Sequence, residues 1–137
     1  MGSGLMQERH ARTSVSALAY HLVWATKYRR PVLVDQVAVV AKQLFSQKLN
    51  ALDGQMIAAD IMPDHVHLFV ALPATATLPR VVHRLKGTSV RYLLQHHPVI
   101  KRQLWGGHLW NPSYWASTVG NVSAAGVARY SAEQRGK

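Results

Sequence analysis

Hydrophobic and polar positions alternate from residue 19 onward. Tyr20, Leu22 and Trp24 fall on one side and His21, Val23 and Ala25 on the other, the period-two pattern of a half-buried strand. A basic knot, Lys27, Tyr28, Arg29 and Arg30, follows, and Pro31 prevents simple continuation. Asp35 is a fair N-cap. Behind it Val37, Val40, Ala41, Leu44 and Phe45 recur at three and four residues and predict a helix to about residue 50. Asp53-Gly54 is a turn signal. Two β-like runs, 56–62 and 65–72, are separated only by Pro63-Asp64, which predicts a tightly joined antiparallel pair. After a loop, residues 78–96 predict a second helix with Leu78, Val81, Val82, Leu85, Tyr92 and Leu93 on one side. Arg80, Arg84 and Arg91 fall within a narrow arc on another side, and Pro98 marks the end. Residues 104–112 read as a loop, 113–119 as a last strand, Gly120-Asn121 as a break and 122–135 as a weaker helix with a thin apolar face. There Gly126 costs about 1 kcal/mol relative to Ala.

The order β-α-β-β-α-β-α predicts an α+β fold. It is a ferredoxin-like (RRM-like) split βαβ antiparallel sheet with one extra C-terminal helix. Residues 1–18 are expected to form a flexible N-terminal tail, 19–137 a single domain, and 121–135 a mobile final helix.

Composition narrows the function classes. At 137 residues and 48% hydrophobic, the chain is long and apolar enough for one domain with a real core, which excludes wholesale disorder. No apolar run approaches the roughly 20 residues of a membrane helix. Cysteine is absent, which excludes disulfides, thiolate metal sites and cysteine nucleophiles. No signal-like leader is read at the start, so the expected compartment is the cytoplasm. Sixteen Lys and Arg against six Asp and Glu give a net charge of +10, which points to a polyanionic partner.

The central motif is His65-Val66-His67. Histidines at i and i+2 on a strand share a face, with Cα atoms roughly 6.6 Å apart, so two imidazoles can converge on one metal ion while Val66 turns to the core. Alone the pair is weak: with eight histidines in the chain, one His-x-His is expected about half the time by chance. Two ordinary surface or core histidines fit the same spacing. An imidazole pair also needs an oxygen ligand before it suits a hard cation such as Mg²⁺ or Mn²⁺. Tyr130 and Gln134 are four apart and therefore neighbours on a helix face. Gln134 offers a carbonyl oxygen, and Tyr130 offers a phenol whose attack on a phosphodiester needs metal polarisation, because its pKa lies near 10. A half-buried packing tyrosine is the alternative.

These segments resemble the single-tyrosine HUH transposases of the IS200/IS605 type, including the REP-associated tyrosine transposases. The resemblance rests on YHLVWATKYRRPVL at 20–33, MPDHVHLFV at 62–70, RLKGTSVRYL at 84–93, LWGGHLWNPSYW at 104–115 and Tyr130-x-x-x-Gln134, in the family's order. It implies an enzyme that binds single-stranded DNA hairpins and cleaves through a 5′-phosphotyrosine bond. By the same resemblance Tyr130 is the nucleophile, and His65, His67 and Gln134 ligate a divalent metal, Mg²⁺ or Mn²⁺. Asp64 assists metal binding or orients a histidine. A homodimer with composite active sites is implied, the tyrosine helix of one subunit completing the histidine pair of the other, in a bacterial or archaeal cytoplasm and at the nucleoid when DNA is bound.

Lys27, Arg29, Arg30, Arg80, Arg84, Lys86 and Arg91 become candidates for DNA backbone contacts. Trp105, Trp110 and Trp115 are candidates for base stacking, with core packing as the stronger expectation. Ser131, where family members more often carry an apolar residue, and the small residues of 124–128 depart from the family pattern. A domesticated REP-associated nuclease and a non-catalytic single-strand binding module are the alternative functions.

Overall fold

Alternation in the first strand sorts its side chains as expected: Leu22 and Trp24 are buried, whereas His21, Val23 and Ala25 are half-buried on the other face. The computed structural model describes residues 17–104 and 107–122. In chain order these form β1 (Ala17–Ala25), a 3₁₀ turn (Lys27–Arg29), α1 (Asp35–Ala51), β2 (Gln55–Met62), β3 (His65–Leu72), α2 (Leu78–His96), α3 (Pro98–Gln103) and β4 (Trp115–Val122). The sheet order is β2-β3-β1-β4, with every pair antiparallel. That is the ferredoxin-like α+β arrangement predicted by the element order. None of the described helices is long and apolar enough to cross a membrane.

One face of the sheet carries the core. Leu22, Trp24, Val66, Leu68 and Val70 from β1 and β3 pack against Phe45 and Leu49 of α1 and Val81, Leu85 and Leu93 of α2. Trp24 meets Phe45 and Trp110 edge-on, with ring centroids 5.6 and 6.0 Å away. Trp110 is thus a core residue, and its indole Nε1 donates to the buried Ser89 Oγ at 2.9 Å. Trp115, by contrast, is 57% exposed, and Trp105 lies outside the described residues.

The turn after α1 needs a special backbone. Asp53 adopts φ 65° and donates its N–H to Asn50 O, while Gly54 N–H reaches Leu49 O at 2.8 Å, the paired bonds of a Schellman motif. A Cβ on Gly54 would come within 2.9 Å of Ala71 O, so only glycine fits there.

Three local expectations are corrected. Gly120-Asn121 is not a break: β4 runs to Val122, and a bulge absorbs the irregularity, since Ala19 faces Gly120 while Tyr20 faces Thr118. Gly120 takes φ 125° there, which a side chain would strain. Residues 121 and 122 therefore belong to the sheet, and the remainder of the expected final helix lies outside the described residues, as does most of the expected tail at 1–18. Asp35 does not cap α1. It is the first helical residue, and the N-cap position is taken by Val34, which offers no side-chain cap bond. The expected end of α2 just before Pro98 holds, and Pro98 then opens the short helix α3, where a missing N–H costs nothing. The 104–112 segment is not wholly loop: Trp110 forms a β-bridge with Thr26.

Candidate nucleic-acid cleavage site

Val66 and Leu68 are fully buried, so period-two geometry turns His65 and His67 onto the face opposite α1 and α2. Register completes the surroundings. His65 stands between Ala25 and Met62, His67 between Val23 and Asp60, and Phe69 between His21 and Ala58. The sequence reading of the pair as strand residues sharing a face holds.

The two-residue Pro63-Asp64 connection places a carboxylate against the first histidine. Asp64 Oδ1 lies 2.9 Å from His65 Nδ1, and Arg29 Nε donates to Asp64 Oδ2 at 3.0 Å. Hydrogen bonds from His65 first and Arg29 second hold the Asp64 carboxyl below its ordinary pKa of 3.8. It is therefore ionised at neutral pH, and the arrangement is lost only as pH falls below that value. An imidazole that donates from Nδ1 keeps its Nε2 lone pair, the tautomer a metal ligand requires.

Thr26 ties this corner together. Fully buried, it donates from its N–H to Asp64 O at 3.0 Å and from Oγ1 to Arg30 O at 2.8 Å. Leu33 N–H donates to Pro63 O from the other end of the basic segment. Within that segment Tyr28 and Arg29 adopt consecutive left-handed conformations, φ 59° and 54°. Each costs on the order of 1 kcal/mol or more for a residue with a side chain.

His21 was not singled out by the sequence. Its Nδ1 lies 3.3 Å from His67 Nε2, and its ring stacks on Phe69 at 4.6 Å. Burial, and then the neighbouring His67, lower its pKa. The available signal was its alternation onto the outward side of β1.

The basic residues separate into two groups. Lys27, Arg29 and Arg30 lie at the Asp64 corner, whereas Arg80, Arg84 and Arg91 are exposed along α2, across the sheet from the histidines. Lys86 behaves differently from its helix neighbours. Its ammonium donates to Asn111 O at 2.8 Å and Ser113 O at 3.0 Å, and burial lowers its pKa. It lines a cleft of about 580 Å³ with His83, Arg91, His108 and Asn111. Lys86→Met is expected to lower stability by roughly 0.5–1.5 kcal/mol in urea denaturation, because its bonds to the part-buried Asn111 carbonyl and the exposed Ser113 carbonyl are lost. A loss under about 0.5 kcal/mol with weaker, salt-dependent DNA binding would instead place its charge on phosphate.

Tyr130 and Gln134 lie outside the described residues, and among the described ones no group of three or more His, Asp or Glu gathers around a common point. The donors present nevertheless fit a divalent metal. Two imidazoles share a face, and one is oriented by a carboxylate.

The family described as Transposase IS200 like matches residues 14–134. This chain belongs to that family. Membership of the IS200-like transposases makes it an enzyme that transfers DNA strands. Among its relatives, the ISDra2 transposase TnpA of Deinococcus radiodurans is 38% identical over 133 residues, 96% of this chain and 94% of that protein. The transposase of insertion sequence element IS200 from Salmonella typhimurium is 24% identical over 77% of this chain and 69% of that protein. A crystal structure of a Deinococcus radiodurans transposase superposes with a TM-score of 0.70 at 38% identity, covering 88% of this chain and 90% of that one. A REP-associated tyrosine transposase, solved bound to a REP hairpin, shares the fold at TM-score 0.58 and 14% identity, covering 79% of this chain and 59% of that one.

Proposed function

We propose that this IS200-like transposase is a divalent-metal-dependent enzyme of single-stranded DNA. It recognises hairpin ends and cleaves and rejoins strands through a 5′-phosphotyrosine intermediate on Tyr130. The observation that carries the reading is His65, its Nδ1 2.9 Å from Asp64 Oδ1, beside His67 on the face opposite the helices.

In this scheme the Tyr130 phenol oxygen attacks the scissile phosphorus and loses its proton. The phosphorus–O3′ bond breaks, and the departing oxygen takes up a proton to become a free 3′-hydroxyl. Rejoining reverses these exchanges with a new 3′-hydroxyl, so one phosphodiester bond is traded for another and no ATP is consumed. His65, His67 and Gln134 would hold Mg²⁺ or Mn²⁺, which when bound polarises the phosphodiester. Asp64 keeps His65 in the ligating tautomer. The REP hairpin carried by the structural neighbour supports hairpin DNA as the partner. A homodimer with composite sites, working in the cytoplasm, completes the reading.

The test is a denaturing gel of full-length protein with single-stranded oligonucleotides from both ends of its own locus. A protein–DNA adduct is expected with Mg²⁺ or Mn²⁺ and none with chelator. Tight hairpin binding without an adduct at either end would leave a non-catalytic single-strand binder. In the same assay Asp64→Asn is expected to slow adduct formation about 10–100-fold through the histidine it positions. Its melting temperature should stay close to that of the wild type, because the Arg29 pair is exposed.

A further inference from the structure

Tyr28 stands out once the catalytic corner is drawn. It is 68% exposed, so the fold gains little by burying it. Its backbone nevertheless sits at φ 59°, ψ 21°, followed by Arg29 at φ 54°, positions where glycine or asparagine would be less strained. The turn is held in that shape from several sides. Lys27 N–H donates to Leu109 O, Arg29 N–H to Thr26 O, and Arg30 N–H to Lys27 O. Two cations flank the ring, Lys27 Nζ at 5.4 Å and Arg30 Cζ at 5.9 Å from its centroid. The next residue, Arg29, grips Asp64, which in turn holds His65.

An exposed aromatic on a strained and braced turn, set between cations and one residue from the carboxylate that orients the histidine, matches the chemistry of an unpaired nucleotide. Bases offer a π-face to the ring, and the adjoining phosphates offer charge to the cations. We infer that Tyr28 is a stacking platform for an unpaired base next to the scissile phosphate, with Lys27 and Arg30 on its flanking phosphates. The platform is indifferent to which base it holds, because every base has a π-face. The inference rests on the proposed single-stranded DNA substrate.

Full-length protein is titrated with a hairpin oligonucleotide whose single-stranded tail carries 2-aminopurine at one position at a time. Wild type is expected to quench the fluorescence at one tail position. Tyr28→Leu should lose that quenching and bind roughly ten-fold more weakly, while Tyr28→Trp keeps both. Tyr28→Gly should melt a few degrees higher, about 2–6 °C, as strain is relieved, and still lose the quenching. Unchanged affinity and quenching in Tyr28→Leu would overturn the platform, as would a wild type that binds the hairpin but quenches nowhere in the tail. These two results leave the proposed function standing. A wild type that binds no hairpin oligonucleotide overturns both.

Discussion

Replacing His65 and His67 together by alanine is expected to leave a folded protein that forms no DNA adduct in Mg²⁺ or Mn²⁺. The loss of cleavage should be at least about 10³-fold, since metal polarisation of a phosphodiester contributes several kcal/mol and about 1.4 kcal/mol is a factor of ten. The fold should survive because both side chains point away from the core, while Val66 and Leu68 carry the burial on β3. Melting temperature and adduct yield, measured on the same sample, separate the two effects. Tyr130→Phe is the matched control: it keeps metal binding and hairpin affinity but has no nucleophilic oxygen. An adduct that survives Tyr130→Phe would remove Tyr130 as the nucleophile, and one that survives loss of both histidines would remove the metal site.

Phe45→Ala is expected to cost about 3–5 kcal/mol, a large part of the roughly 5–15 kcal/mol that typically holds a domain folded. Phe45 is fully buried on α1, and its ring meets Trp24 at 5.6 Å and Trp110 at 6.2 Å. Removing it leaves both indoles facing a void that β1 and α2 cannot close without moving the sheet. Urea denaturation should show a lower midpoint, and the melting temperature should fall by about 10–20 °C. A loss under about 1 kcal/mol would mean that the core repacks around the gap.

How legible each feature was depended on how local its cause is. The elements from α1 through α2 followed from periodicity and turn residues a few positions apart. The shared face of His65 and His67 followed from strand alternation alone. Gly120-Asn121 has the composition of a turn, and only its pairing with Ala19 and Leu18 reveals a bulge within a continuing strand. Lys86 falls among arginines on an exposed-looking arc. Carbonyls at 111 and 113, more than twenty residues away in sequence, draw it inward. His21 joins the site through β1–β3 register across 46 residues, which no local pattern contains. The left-handed turn at Tyr28 is likewise set by contacts to Leu109 and Asp64, not by its own residue types.

β3, which carries both histidines, is an interior strand, bonded to β1 along one edge and β2 along the other. Amides at such a place open only when much of the domain opens with them. The histidine pair therefore behaves as a fixed anvil, whose spacing cannot be adjusted by fraying or by sliding one residue in register, since a one-residue slip would send both imidazoles into the core. If the pair holds a metal as proposed, the DNA has to come to that anvil, because β3 beneath it has no cheap way to follow.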